Sequence, residues 1–275
     1  MFEVVEGEGR TLWCATDGAS TYYKGQLVTL IGASKAAVNG TVKPLAVPAG
    51  VADTTNFQVI FGVIVGLNRR NPQSVIVGSY SLEYEAGVVS QANQLAREFT
   101  GQEGMYTKGD PQVLVQVTEI LPTTVIKGPI CNNALGTAPT LLTVSVSTDA
   151  DGMISANVTT NACEFTPVAN KCTIHCRKGT NAGLYRVTGD TSTTAPQVTT
   201  GFPHDVAVND QFVRVPLKQG LSQIYISGPG LYINSSLGLI TNTFEIIVYE
   251  LNLAEARKEH AKFRFTNVHF DCARA

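Results

Sequence analysis

Hydrophobic and polar residues alternate in short runs along most of this chain, and Gly, Pro, Asn and Asp punctuate the runs. A period of two sends successive side chains to opposite faces of a strand, so the pattern predicts half-buried β-strands. The densest stretch is 22–66. It opens with the turn former Lys24-Gly25 and the run Gln26-Leu27-Val28-Thr29-Leu30-Ile31, passes through a short segment at 42–47, and closes on the β-branched run 59–66. Short strands punctuated in this way predict a small antiparallel barrel or sandwich. Residues 112–120 alternate cleanly and end at Leu121-Pro122. Strands are also predicted at 75–78, 141–147, 172–176, 184–188, 211–217 and 244–250. Gly228-Pro229-Gly230, between runs at 223–227 and 231–234, predicts a hairpin.

Two stretches break the period. Val88, Gln91, Ala92, Leu95 and Phe99 recur at roughly helical spacing, which predicts a short helix or an irregular excursion. Residues 251–262 (LNLAEARKEHAK) are helix formers and predict a short C-terminal helix, marginal without tertiary packing. After it, Phe263, Phe265 and Phe270 alternate with polar residues as a terminal strand, which either completes its own sheet or adds to a neighbour's. Residues 1–21 read as an entry arm with a short strand at 2–5, a break between Gly7 and Gly9, and the one tryptophan, Trp13. A lone Trp beside such an arm anchors a core or touches a neighbouring subunit.

A Thr-, Ser-, Asn- and Ala-rich stretch follows Lys127-Gly128-Pro129 and places a domain boundary near Gly128. The predicted fold is therefore all-β, with two β-barrel- or β-sandwich-like domains, a short C-terminal helix and a terminal strand. The first, 1–127, is barrel-like with its entry arm; the second, 128–275, is β-rich. A chain of 275 residues is long enough for either one large or two ordinary domains. Only 15% of residues are charged against 44% hydrophobic, well under the usual quarter. Low charge suits β-branched residues packed on sheets. It also suits a surface partly covered by other subunits, or equally a Thr/Ser/Asn-rich exterior on a monomer.

A formal net charge of −2 offers no long-range attraction to phosphate or anionic lipid, so neither nucleic acid nor membrane is an expected partner. No apolar run is long enough for a membrane span, and the acidic N-terminus lacks the layout of a signal peptide, so use without export is expected. The six cysteines are too sparse for a disulfide framework, and reduced thiols are expected.

Candidate chemistry is thin. Cys163, Cys172, His175 and Cys176 carry zinc-binding atoms, but the one C-x₃-C lacks a second knuckle. In a strand over 172–176, His175 would also face away from Cys172 and Cys176. The expected state is therefore no metal and no cofactor. There is no G-x-S-x-G elbow, no P-loop and no dinucleotide fingerprint. The adjacent His204-Asp205 pair has no evident nucleophile, so a non-enzymatic protein is expected. A rival class is a carbohydrate- or receptor-binding β-module using the loop 189–203 with Tyr185, Tyr225 or Tyr232.

Three stretches in order, Gly25-Gln26-Leu27-Val28, Gly40-Thr41-Val42-Lys43-Pro44-Leu45-Ala46 and Phe61-Gly62-Val63-Ile64-Val65-Gly66, resemble the head decoration (capsid cement) proteins of tailed bacteriophages. The similarity spans roughly residues 20–120. It implies a structural virion protein, made in the host cytoplasm and bound to the outer capsid surface as a dimer or trimer. The major capsid protein would be its partner, and it would clamp neighbouring capsid subunits. A shell or tail-tube subunit that assembles alone is the related alternative. Phe2, Trp13, Phe265 and Phe270 are the candidate contact points, with packing inside each domain as their other reading.

Overall fold

The computed structural model describes residues 1–16, 21–30, 41–45, 59–68, 88–90, 114–131, 138–146, 158–168, 170–187, 192–198, 202–226, 230–231, 233–234, 244–266 and 269–270. Among them the chain is all-β, without a helix. In order come β1 (Glu3–Thr16), β2 (Thr21–Tyr23), β3 (Leu27–Leu30), β4 (Thr41–Pro44), β5 (Val59–Ile60), β6 (Gly62–Asn68) and β7 (Val88–Ser90). Next are β8 (Leu114–Cys131), β9 (Leu141–Val146), β10 (Thr159–Thr160), β11 (Thr173–Lys178), β12 (Gly183–Arg186) and β13 (Gln211–Val215). The last are β14 (Gly220–Ile224), β15 (Ile233–Asn234), β16 (Phe244–Asn252), β17 (His260–Phe265) and β18 (His269–Phe270).

The 18-residue β8 is the spine. Its first half pairs with β1 on one edge and β6 on the other, and the pairings run β1-β4-β3-β6-β8 and return to β1. This curled, barrel-like sheet fits the 22–66 pattern, except that the β1–β4 pairing closing it is parallel and not antiparallel. Its Lys24-Gly25 turn forms because Gly25 adopts φ +74°, donating to Ile64 O while accepting from Phe2 N. The second half of β8 pairs with β17, and the sheet continues through β16 to β14. A second sheet, β10-β9-β13-β11-β12, comes from residues 141–215.

The strand predicted to stop at Pro122 does not stop there. Pro122 is exposed at a register irregularity opposite Gly7. The Thr124 hydroxyl donates to Gly7 O (2.6 Å) and accepts from Leu121 N (2.8 Å), which satisfies backbone groups the ladder leaves unpaired there. Gly128, where the composition changes, lies inside β8, and residues 220–265 rejoin the sheet begun by β1.

The predicted helix at 251–262 is instead a hairpin: Leu251 and Asn252 finish β16, a turn follows, and His260 opens β17. Arg257 takes φ +66° and the Asn252 side chain accepts from Ala254 N, both turn features. Leu251, Leu253, Ala261, Phe263 and Phe265 are all buried, so pairing with β8 outweighs local helix propensity. Residues 88–90 pair with β2; the rest of 88–99, the strand at 75–78, Tyr232, Cys272 and most of the Gly228-Pro229-Gly230 turn lie outside the described residues.

Three apolar clusters result. One fills the curl, with Cys14, Tyr22, Val28, Phe61 and Val117 among its members. A second fills the space between the sheets, where Ile126, Ile246 and Phe263 of the first meet Val213, Val215 and Leu217 of the second stretch of chain. The third lies on the far face of the second sheet, around Ile174, Phe202 and Phe212. β13 is thus buried on both faces, although its sequence alternates: Arg214 is fully enclosed and donates from Nη1 to Ser192 O at 2.8 Å.

Candidate functional site

Alternation along β11 turns Cys172, Ile174 and Cys176 into the far cluster and leaves Thr173, His175 and Arg177 on the face toward the first sheet. Arg177 Nε donates to Leu253 O at 2.6 Å, and its Nη2 pairs with Glu259 Oε1. That carboxylate is 1% exposed, and the Glu259 carbonyl accepts from Ile130 N at 2.9 Å. One arginine therefore fastens the second sheet to the β16–β17 turn, and the same turn is fastened to β8.

His175 sits two residues from Arg177 on the same face, with a buried Nδ1 that has no hydrogen-bond partner among the described residues. Burial, and then the Arg177 charge, lower its pKa from 6.5. The folded state favours the neutral ring, so its contribution is complete above the unfolded value and is lost as pH falls below it. Between about pH 7.5 and about pH 5 the urea midpoint of the protein should drop, and His175→Gln should flatten that part of the drop. An unchanged slope in the variant would locate the acid sensitivity elsewhere.

The four sulfur and imidazole residues do not converge. Cys163 donates to Phe165 O, Cys172 to Val168 O and Cys176 to Lys178 O, while His175 lies on the opposite face of β11. No group of three or more metal-ligating side chains occurs among the described residues. The described cysteines are buried thiols. Burial, then the Glu119 charge, pushes Cys14 up to about 12; burial pushes Cys131 and Cys176 up to about 11. Alkylating reagents act on thiolates, so these positions should label only after denaturant is added, as read by peptide mass spectrometry. Fast native labelling of Cys14 would contradict the closed curl.

Of the four candidate contact residues, Phe2 and Phe265 prove to be core side chains, 3% and 2% exposed. Phe2 packs edge-on to Phe263 with centroids 6.2 Å apart, and Phe265 meets both Phe263 and Phe244. Trp13 pairs through its backbone with Gln116, and Phe270 with Ile60 of the same chain; their side chains lie outside the described residues. The terminal strands therefore complete the protein's own sheets. Apolar strand ends are sticky for the nearest open edge, and here that edge is internal.

The chain matches no family model, no curated protein and no solved structure.

Of the tyrosines expected to stack a sugar, Tyr185 is committed internally. Tyr185 donates from its hydroxyl to Asn181 O and packs on Phe202 at 5.0 Å, and Tyr225 is half-buried. His204 and Asp205 are exposed; their carbonyls accept from the Asn181 amide, which joins two loops. Among the described residues, one broad outer face lies on β14, β16 and β17. Cross-strand register aligns Leu221 with Ile247 and Ile247 with Arg264, and it aligns Glu250 with Lys262 and Lys262 with Lys127. Lys262 Nζ bonds Glu250 Oε2 at 2.7 Å and, with the charges of His260 and Lys127, lowers the Glu250 pKa. Leu221 is 55% exposed and Tyr249 48%. Strand alternation at 244–250 foretold which side chains face outward; nothing local foretold that Leu221 would lie beside Ile247 at the end of a sheet. The arrangement suits surface contact.

Proposed function

We propose that this protein is a non-enzymatic structural virion subunit that binds the outside of a phage capsid and stabilises contacts between major capsid subunits. The observation that carries the reading is the placement of the three stretches on which the resemblance rests. They supply β4, β3 and β6, which are neighbours in that order in the curled sheet. A pattern scattered over unrelated elements would carry no such weight. The Tyr185 hydroxyl tied to Asn181, together with broad outer strand faces, favours contact over chemistry.

The test is sedimentation of the purified protein alone and with emptied, expanded phage heads, followed by heating of the heads. Co-sedimentation at fixed stoichiometry with a raised disruption temperature is the expected result. A species that ignores the heads would sink the reading. Particles or tubes formed without heads would point to a shell or tail-tube subunit.

A further inference from the structure

We infer that His175 is an acid-sensitive latch: a proton taken up by its ring frees the β16–β17 turn, residues 253–259, from Arg177 while both sheets stay folded. The inference stands independently of the capsid reading. It concerns a local release, separate from the loss of overall stability in acid.

The latch lies at the seam between the sheets. β11 presents Thr173, His175 and Arg177 on the face toward the first sheet. Arg177 spans the seam, holding Leu253 O through Nε and the Glu259 carboxylate through Nη2. The Glu259 carbonyl in turn accepts from Ile130 N of β8 at 2.9 Å. His175 stands beside this strut with Nδ1 out of water and without a hydrogen-bond partner among the described residues. A charged ring there would lack both water and an acceptor at Nδ1, so the closed seam favours the neutral form.

The surrounding groups decide which way a proton pushes. Directly across from His175 stand Leu184 of β12 and Val213 of β13, neither charged. Val215, next on that face of β13, is also uncharged, and the exposed Arg186 of β12 lies opposite Thr173. On the side of the turn, the Arg177 guanidinium acts on the ring directly, while the Glu259 carboxylate is engaged by Arg177. The Cys131 thiol near Glu259 is held neutral by burial. Burial first, and Arg177 second, oppose a proton on His175. One movement relieves both: lifting the turn admits water to the ring and lets the guanidinium swing away from it. The turn can lift at modest cost because residues 254–258 are exposed and Leu253 and Glu259 are its buried members. The sheets themselves share a large apolar cluster and stay packed.

The experiment is amide exchange of the full chain by NMR from pH 7.5 to pH 5, with each rate divided by its intrinsic rate at that pH. Ile130 N reports on the turn, and Phe61 N, bonded to Val28 O, reports on the curl. Opening at Ile130 should rise by up to about tenfold per pH unit below about pH 6.5, the limit for one proton, while Phe61 stays flat. His175→Gln should flatten the Ile130 response. In the unaltered protein the His175 ring carbons should titrate below the usual histidine range, a readout that needs no variant. An equal rise at Ile130 and Phe61 would mean general unfolding and overturn the proposal. So would slower opening at Ile130 in acid, the result if Glu259 draws the charged ring inward. A rise that His175→Gln retains, or a ring that titrates at the usual value, would overturn it as well.

Discussion

Glu259→Ala should destabilise the protein by about 3–5 kcal/mol, because it leaves the Arg177 guanidinium buried without its counter-charge. The Arg177 side chain is 10% exposed and Glu259 1%, so water cannot replace the lost partner. Arg177 also holds Leu253 O, and the two contacts together join the second sheet to the β16–β17 turn. Urea unfolding monitored by fluorescence and by circular dichroism measures the loss. The double variant Arg177→Met/Glu259→Leu should recover much of it, since removing both charges removes the desolvation penalty along with the attraction. A single-variant loss below about 1 kcal/mol would show that the pair behaves as a solvated surface bridge. The exposed Lys258–Glu255 pair in the same turn is the control, and Glu255→Ala should leave the urea midpoint essentially unchanged.

Gly62→Ala should cost about 3 kcal/mol, the upper end of the usual range for overpacking. A methyl at Gly62 would overlap the backbone oxygen of Thr118 and Cγ1 of Val117, where β6 lies against β8. The Thr118 backbone cannot yield without breaking ladder bonds that close the curl. Gly66→Ala tests the same strand at its other glycine. There a methyl meets first the side-chain amide oxygen of Gln116, which can swing away, so the loss should be under about 1 kcal/mol. Equal effects at the two sites would mean that the β6–β8 contact is looser than the structure indicates. The two variants separate glycine needed for close approach from glycine tolerated in a strand, a distinction the resemblance motif alone does not make.

The turn at 253–259 shows how far local sequence reaches. LNLAEARKEHAK is a good helix on propensity, and its Glu and Lys spacing looks like helix-surface pairing. In the fold Lys258 does pair with Glu255, but Lys262 reaches across to Glu250 on the neighbouring strand and Glu259 turns inward to Arg177. Propensity differences of a few tenths of a kcal/mol per residue are outweighed by burying Leu251, Leu253, Ala261 and Phe263 against β8 and β16. Pro122 failed as a strand end for a related reason. A proline is tolerated where the ladder is irregular, and the irregularity is specified by Gly7 and Thr124, neither adjacent to it in sequence.

By itself the sequence determined the all-β class, the Lys24-Gly25 turn, the strands of the curl other than β1, which runs through the break expected at Gly7–Gly9, and the facing of His175 away from Cys172 and Cys176. Each follows from a period of two or from the backbone freedom of single residues, which are properties of neighbours along the chain. Only the tertiary structure decided that β8 runs on through Pro122 and Gly128, that Phe2 and Phe265 belong to a core, that Arg214 is enclosed on a strand whose pattern alternates, and that Leu221 lies opposite Ile247. Those outcomes depend on which strands come to lie side by side. Burial and pairing energy arise between residues that are distant in the chain, and no local pattern carries that information.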